Sequence, residues 1–322
     1  MTTSAPVGVE RPAPGPSTGG GRGRSGRSAL GDPWYTPWLF VLPHLVVFGL
    51  FIAVPFFLGI WISLHDSTAV RQGPFVGLRN FERLLDPESI HFGRFWQTVW
   101  NTVLFVLLST PLLVGAGLGL ALALNQKLKG RNIFRAVYIA PWTLSVAVVG
   151  LTWWWMFNGN SGVITVALQD LTGSSPGWLT SNPWAWISIL VATLWWTIGF
   201  NTIILLAGLQ AIAPELYEAA SIDGATRWDK FRHITVPQLR AVLLLVITLQ
   251  IIASFQLVGQ PQLMTGGGPP PADTTPVLLH IFNTAFAGRR ELSLAAAMAL
   301  IVAVLMVVVS VINFRLFRTE RA

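Results

Sequence analysis

Six long apolar runs dominate the pattern of hydrophobic and polar positions along the chain. The runs span residues 38–64, 97–124, 136–157, 185–208, 240–263 and 292–315. Each is long enough for the ~20 residues that an α-helix needs to cross a bilayer. Because the hydrocarbon core offers no water to the backbone, such runs must be helices. The pattern predicts an all-α integral membrane protein with six transmembrane helices. A soluble core with six large buried helices is the disfavoured alternative.

Composition supports the membrane class. Of 322 residues, 52% are hydrophobic and 11% are charged, whereas a soluble domain carries about 25% charged residues. Cysteine is absent, which excludes disulfides and thiolate metal sites. A net charge of +7 would suggest nucleic acid for a soluble protein. In a membrane protein the location of the charge matters more, and we predict no nucleic-acid partner.

The distribution of Lys and Arg predicts the orientation of the helices. If the N-terminus is inside, the cytoplasmic segments hold fifteen of the 21 basic residues and the outside segments hold six. Cytoplasmic loops carry an excess of Lys and Arg. We therefore expect both termini in the cytoplasm and the protein in the cytoplasmic membrane.

The polar segments divide the chain into four regions. Residues 1–32 are rich in Pro, Gly and Ser and are expected to be a disordered tail, because they bury too little apolar area to offset their ordering entropy. Residues 33–95 hold the first transmembrane helix and an extracytoplasmic loop. A core of five helices spans residues 96–315, and a cytoplasmic tail covers residues 316–322.

One polar stretch, residues 212–237, interrupts the apolar sequence between the fourth and fifth runs. Pro214 suits the first position of a helix, and Glu215 and Glu218 would favour the positive end of its dipole. Gly224 is a natural helix stop. The sequence predicts a short helix that ends in a glycine turn.

A second short helix is predicted after that turn. Thr226 and Asp229 have the spacing of a capping box, and the helix is expected to run through Arg232. Pro237 would then open the fifth transmembrane helix. The two short helices should lie along the cytoplasmic face.

The spacing of this stretch resembles the EAA loop of binding-protein-dependent ABC importer permeases. Glu-Ala-Ala at 218–220 is followed after three residues by Gly224 and after nine more by Ile-Thr-Val-Pro at 234–237. The family pattern usually ends in Ile-x-Leu-Pro, so Val236 replaces its Leu. Further similarity to the sugar-type subgroup, which includes maltose and glycerol-phosphate permeases, lies at residues 76–81, 101–102, 119–124, 138–141 and 263–269.

The resemblance implies a type I ABC importer permease with a MetI-like transmembrane fold. In that family the EAA helices dock on a separate ATPase and transmit its closure, which gives alternating access. The implied coupling residues are Glu215, Glu218, Ala219, Ala220, Asp223 and Gly224. The implied partners are a second permease, an ATPase dimer, an extracytoplasmic solute-binding protein and membrane lipid. ATP and Mg would be used by the ATPase. This chain has no G-x-x-x-x-G-K-[ST] phosphate loop, so we expect no enzyme activity and no bound cofactor.

Polar side chains inside the apolar runs are candidates for a substrate pathway, because such groups are costly in a bilayer. The candidates are Asn201, Gln250, Ser254, Gln256 and Gln260, with Phe255 and Trp196 as aromatic faces. Gln256 and Gln260 are expected to share one helix face. The resemblance implies that Gln256 contacts a sugar. For each amide the alternative is a hydrogen bond to a neighbouring helix.

Two other classes of function remain as alternatives. An ion-coupled secondary transporter would be expected to have interrupted helices and usually an intramembrane carboxylate, and the six runs hold no convincing one. A membrane enzyme would need clustered His, Asp or Glu; the five His residues have no metal-ligand spacing, and we predict no metal site. Gly115 to Gly119 is read as helix packing rather than a nucleotide fingerprint. Nothing in the sequence names the solute.

Overall fold

The computed structural model describes five stretches of the chain. They are residues 35–68, 71–126, 130–268, 274–287 and 290–318. The predicted tail at residues 1–32 and the last four residues lie outside them, so the structure does not test those predictions.

These stretches are almost entirely helical. The α-helices are α1 (Thr36–Phe48), α2 (Val54–Ser63), α3 (Arg79–Leu85), α4 (Phe92–Asn125), α5 (Arg131–Ile139), α6 (Val146–Met156), α7 (Val163–Thr172), α8 (Trp184–Gln210), α9 (Pro214–Ile222), α10 (Arg227–Lys230), α11 (Val236–Phe255), α12 (Val277–Phe286) and α13 (Leu292–Arg318). Tighter or wider turns occur at Gly49–Ala53, Phe231–Thr235 and Pro261–Thr265 (π-helical) and at Ala140–Thr143 (3-10). Within the described stretches, β-structure is limited to one bridge between His65 and Phe75. The predicted all-α class is confirmed.

The chain divides into two compact units, residues 1–55 and 56–322. In the first unit, the described side chains of α1 are exposed along the whole helix. A helix that is apolar all round is suited to a membrane.

Five stretches are single helices long and apolar enough to cross a membrane. They are Trp38–Ser63, Phe92–Asn125, Trp184–Gln210, Arg227–Phe255 and Leu292–Asn313. The third predicted run is instead two helices, Asn132–Thr143 and Val146–Met156, with a 99° bend between them. Counting the bent pair as one span gives the six that were predicted.

The bend at the third span has a local cause. Pro141 lies in the 3-10 turn, where its missing N–H cannot continue an α-helical ladder. Leu144 is extended, and the hydroxyl of Ser145 accepts from the backbone N of Val148 at 3.4 Å to start α6. The expectation of one helix over residues 136–157 was therefore wrong.

The fifth span also differs from its predicted range of 240–263. The helix begins at Arg227 and passes through the π-helical turn Phe231–Thr235 into α11. Pro237 lies in the first turn of α11, where the wider turn before it accommodates a residue without an N–H. At the other end α11 stops at Phe255, and the chain turns again before Pro261, which cannot donate to a helical ladder.

Helices α4, α8 and α11 pack around one buried apolar cluster. Its fully buried members include Ala121, Leu205, Leu239 and Val246. Gly117 allows α4 and α8 to approach closely, since a Cβ there would lie 3.0 Å from that of Asn201. Gly115 and Gly119 have no such neighbour in the described residues, so the predicted packing role falls on Gly117 alone.

Near the N-terminal end of α4, hydrogen bonds fix the loop between α2 and α3 and the start of α13. The amide of Asn80 donates to the carbonyls of Ser63 at 2.8 Å and His65 at 2.9 Å. The Ser293 hydroxyl donates to the Ser67 carbonyl at 3.0 Å. Asn80 lies on the short helix α3.

Candidate functional site

Helix α9 opens the polar stretch and ends in a Schellman motif. Its first turn contains Pro214 and Glu215. At its end Gly224 has φ +78° and donates to the Ser221 carbonyl at 3.2 Å, while the N–H of Ala225 donates to the Ala220 carbonyl at 2.9 Å. Glycine suits this position because it has no Cβ to clash in the left-handed region. The predicted helix stop is present.

The predicted capping box is present at the start of α10. The Thr226 hydroxyl accepts from the N–H of Asp229 at 3.2 Å, and the Asp229 carboxylate accepts from the N–H of Thr226 at 2.9 Å. Because α10 continues through a π-helical turn into α11, this cap starts the whole helix Arg227–Phe255. The second short helix is thus the beginning of the fifth span, not a separate element.

Two contacts that sequence reasoning missed join α9 to this long helix. The hydroxyl groups of Tyr217 and Thr235 are 3.0 Å apart, and Nζ of Lys230 donates to the Ser221 hydroxyl at 2.6 Å. Tyr217 also packs against the apolar cluster of α4, α8 and α11. Movement of α9 would therefore be passed to the start of the long helix.

The polar stretch is exposed along its outer side. Glu215, Glu218, Ala219, Asp223 and Gly224 are exposed, and Ala220 is half-buried. Three large apolar side chains on the same stretch are also exposed: Leu216 at 42%, Ile222 at 87% and Trp228 at 64%. Exposed apolar groups with a polar rim are typical of a protein-interaction surface.

A second feature lies midway along α8, where a cavity of about 380 Å³ opens beside the end of α11. Its lining residues are Phe105, Trp142, Val146, Thr193, Trp196, Thr197, Gln250, Ala253, Ser254, Gln256, Leu257, Val258, Gly259 and Gln260. We call it the mid-membrane cavity. Its volume lies in the range of small-molecule binding sites, which combine apolar walls with a few placed polar groups.

A hydrogen-bonded chain of buried side chains forms one wall of this cavity. The amide of Asn201 donates to Oε1 of Gln250 at 3.0 Å, Nε2 of Gln250 donates to the Ser254 hydroxyl at 3.1 Å, and the Ser254 and Ser109 hydroxyls are 2.9 Å apart. This chain crosses α8, α11 and α4. Because buried polar groups need partners, the network fixes how these three helices face one another.

Two tryptophans bound the cavity on another side. The rings of Trp142 and Trp196 are 5.8 Å apart, and Trp142 stacks on Phe200 at 4.8 Å. The indole N–H of Trp196 donates to the carbonyl of Leu144 at 3.1 Å, within the bend of the third span. The bend therefore brings Trp142 to the cavity. The straight helix predicted from the sequence did not indicate this position.

Residues 114–321 match the family of binding-protein-dependent transport system inner membrane components. The chain belongs to this family. The permease is therefore a multi-pass membrane protein and a transport component that functions with a binding protein, as the family description states.

Relatives and solved structures agree with this assignment. The permease is 37% identical over 285 residues to the trehalose/maltose transport system permease protein MalF of Thermococcus litoralis, covering 88% of this chain and 94% of the relative. Its fold matches a bacterial ABC transporter involved in the import of the acidic polysaccharide alginate, with a TM-score of 0.75, 22% identity and coverage of 89% and 96%. It also matches a bacterial alginate ABC transporter in complex with an alginate pentasaccharide-bound periplasmic protein, with a TM-score of 0.73, 22% identity and coverage of 87% and 92%.

Only some of the predicted pathway residues of the permease line the mid-membrane cavity. Ser254, Gln256 and Gln260 line the cavity. Asn201 lies behind Gln250 in the buried network, and Phe255 is 5% exposed and does not line the cavity. Gln250 and Trp196 do line it.

The expectation that Gln256 and Gln260 share one helix face was wrong. Helix α11 ends at Phe255, and Gln260 lies beyond the end of that helix. The two amides reach the same cavity because the chain turns there. Gln256 is exposed, whereas Gln260 is 4% exposed.

Proposed function

We propose that this permease is the transmembrane subunit of an ABC importer and that its cargo is a carbohydrate, which crosses at the mid-membrane cavity. The observation that carries the proposal is the lining of that cavity. Amide and hydroxyl groups can donate to and accept from sugar hydroxyls, and the indole rings of Trp142 and Trp196 offer apolar faces. The relative named for trehalose/maltose transport supports the same class of cargo.

The cavity chemistry favours a neutral solute. Its described lining includes Gln250, Gln256 and Gln260 but no charged side chain. A charged group brought into a bilayer is costly unless it is paired. A sugar hydroxyl, by contrast, can exchange bonds to water for bonds to these amides.

The energy would come from separate subunits. We propose that an ATPase dimer docks on the exposed stretch at Pro214–Lys230. The ATPase would use ATP and Mg, and this chain would hold no cofactor. A second permease would complete the pathway, and lipid would surround both. The 29-residue helix Arg227–Phe255, about 40 Å long at 1.5 Å per residue, runs from that stretch to the cavity. Closure of the ATPase would thus be transmitted along this helix to Ser254 and Gln256.

Reconstitution tests this function directly. The permease would be assembled in proteoliposomes with its second permease, ATPase and solute-binding protein, and uptake of radiolabelled sugars would be measured with and without ATP. We expect uptake that needs both ATP and the binding protein. A matched complex with an ATPase unable to hydrolyse ATP should bind sugar but not accumulate it.

Uptake that continues without ATP and follows an ion gradient would overturn the proposal in favour of a secondary transporter. Gln256→Leu sharpens the cargo assignment, since it removes an exposed amide from the cavity lining. We expect uptake to fall at least tenfold while ATPase association is unchanged. Unchanged uptake by this variant would remove the cavity from the pathway.

A further inference from the structure

The bend in the third span leaves one backbone carbonyl without its usual helical partner. Helix α6 begins after Ser145, whose hydroxyl accepts from the N–H of Val148 at 3.4 Å. In a continuous α-helix, that N–H would instead bond to the carbonyl of Leu144, four residues earlier. The carbonyl of Leu144 therefore needs a donor from another part of the protein.

The indole of Trp196 supplies this donor from α8. Its Nε1 donates to the Leu144 carbonyl at 3.1 Å, across 52 positions of the chain. Trp196 lies near the middle of the 27-residue helix α8. At membrane depth, non-helical backbone is tolerated only where protein or a water-filled cavity satisfies it. The bond from Trp196 therefore stabilises the bent form of the third span.

A second contact on the same face of α8 holds the other side of the bend. Gly199 lies three positions after Trp196, so the two residues are neighbours on the helix surface. A Cβ on Gly199 would lie 2.0 Å from the carbonyl oxygen of Tyr138, a backbone atom that no change of rotamer can move away. Helix α8 thus contacts the chain before the bend, at Tyr138, and within it, at Leu144.

Trp142 lies between these two contacts along the chain. Its ring stacks on Phe200 with the centroids 4.8 Å apart, and it lies 5.8 Å from the ring of Trp196. Trp142 is nevertheless 42% exposed, and it lines the mid-membrane cavity. Because the ring is packed against α8 but still accessible, it can offer an apolar face to a solute.

The bond from Trp196 can affect a solute only through the position of the bend. A bonded contact shifts an equilibrium by no more than the free energy that it contributes. For one neutral hydrogen bond, this limit corresponds to a ratio of roughly 2- to 13-fold. If the bend were released, the binding-competent position of Trp142 would be less populated, and the apparent affinity for a solute would fall within that ratio.

We propose that Trp196 is a positioning residue for cargo binding, which acts through its indole N–H on the bend and through the bend on Trp142. The inference rests on the proposed function, because it takes a carbohydrate in the mid-membrane cavity as the cargo. The ring of Trp142 forms a wall against which a sugar ring packs, and the bond from Trp196 to Leu144 keeps that wall in place. Direct contact between the Trp196 ring and the sugar is the rival explanation, and it makes no use of the N–H.

Replacement of Trp196 by benzothienylalanine tests the N–H alone, because sulfur takes its place and the fused ring keeps its shape. The analogue is introduced by codon suppression, and binding of radiolabelled maltose, trehalose and glucose to the assembled complex is measured in nanodiscs without the binding protein. For the sugar that the unmodified complex binds most tightly, we expect the Kd to rise by roughly 2- to 13-fold.

Two controls keep the N–H or move the substitution. A fluorinated tryptophan at position 196 retains the indole N–H and should leave the Kd unchanged. Benzothienylalanine at Trp195, the neighbouring residue outside the cavity lining, should also leave it unchanged. A rise in Kd with either control equal to that with the analogue at Trp196 would overturn the inference.

Trp142→Ala separates a positioning role from direct contact with the sugar. In that background the ring that Trp196 positions is gone, so the analogue should cause no further rise in Kd and the two effects should be non-additive. An equal rise with and without the Trp142 ring would overturn the inference and leave the proposed function intact, as would an unchanged Kd when Trp142 is present. Failure of the unmodified complex to bind any of these sugars, together with uptake that needs no ATP, would overturn the proposed function and the inference together.

Discussion

The proposed docking stretch, Pro214–Lys230, and the mid-membrane cavity satisfy their polar groups over very different distances along the chain. In Pro214–Lys230, the bonds join neighbours, such as Thr226 to Asp229 and Ala225 to Ala220, and the outer side is exposed. In the buried network beside the cavity, the Ser109 hydroxyl bonds to that of Ser254, 145 positions away. The glycine turn and the helix cap of the first region therefore depend on near neighbours, whereas the second region exists only once α4, α8 and α11 have packed. Local bonding suits a surface that binds and releases a partner, and the distant bonding suits a wall that must keep its shape.

The largest effect should come from filling the contact between Gly259 and Val146, which both line the mid-membrane cavity. In Gly259→Ala, the added Cβ would lie 2.3 Å from a methyl carbon of Val146, and overpacking of this kind costs about 1–3 kcal/mol. We expect sugar uptake by the reconstituted complex to fall by up to about 150-fold, the ratio to which about 3 kcal/mol corresponds. Gly119→Ala, where a Cβ meets no neighbour in the described residues, is the control. Val146→Ala should restore uptake in the double variant; failure to do so would show that the clash is not the cause.

A second change separates the network from the docking stretch. Asn201→Leu leaves Oε1 of Gln250 buried without its donor, and we expect a loss of about 1–3 kcal/mol in the stability of the complex. Replacing both partners with Leu should recover most of the thermal stability, since no orphaned pair remains. Uptake should stay low in the double variant, because Gln250 lines the cavity. Recovery of uptake with stability would show that the network serves only to pack helices.

The smallest effect is expected in the docking stretch, since the change there is local. Gly224→Val forces a β-branched residue to φ +78°, which costs about 1–2 kcal/mol for a residue with a Cβ. A Cβ at this position meets no neighbouring atom, so the cost is in the backbone alone. We expect ATPase association to weaken by no more than about 30-fold, the ratio to which about 2 kcal/mol corresponds. Gly224→Asn should weaken it less, because Asn adopts this conformation more readily; equal losses would rule out a backbone cause.

Sequence alone is sufficient for the features that depend on near neighbours. The helix start at Pro214, the glycine turn and the capping box are present where the residue types and spacing predicted them. The sugar-type permease resemblance also led to the right family.

The cavity could be predicted only in part. Polarity marked Ser254, Gln256 and Gln260, which line one cavity, but it could not separate them from Asn201, which bonds to Gln250 in the buried network. Trp142 was missed because only the 99° bend between Thr143 and Val146 brings it to the cavity. A residue's neighbours across helices depend on packing that no local pattern encodes.

Cross-linking at Ile222 tests the central claim most directly, that the stretch Pro214–Lys230 is the surface on which the ATPase docks. The chain has no cysteine, so Ile222→Cys places a single thiol on a side chain that is 87% exposed. In proteoliposomes that hold the permease alone, the thiol should react readily with a water-soluble maleimide. In the full complex, we expect it to be protected and to form a cross-link to the ATPase with a short bifunctional reagent. Equal maleimide labelling with and without the ATPase, and no cross-link, would contradict the account.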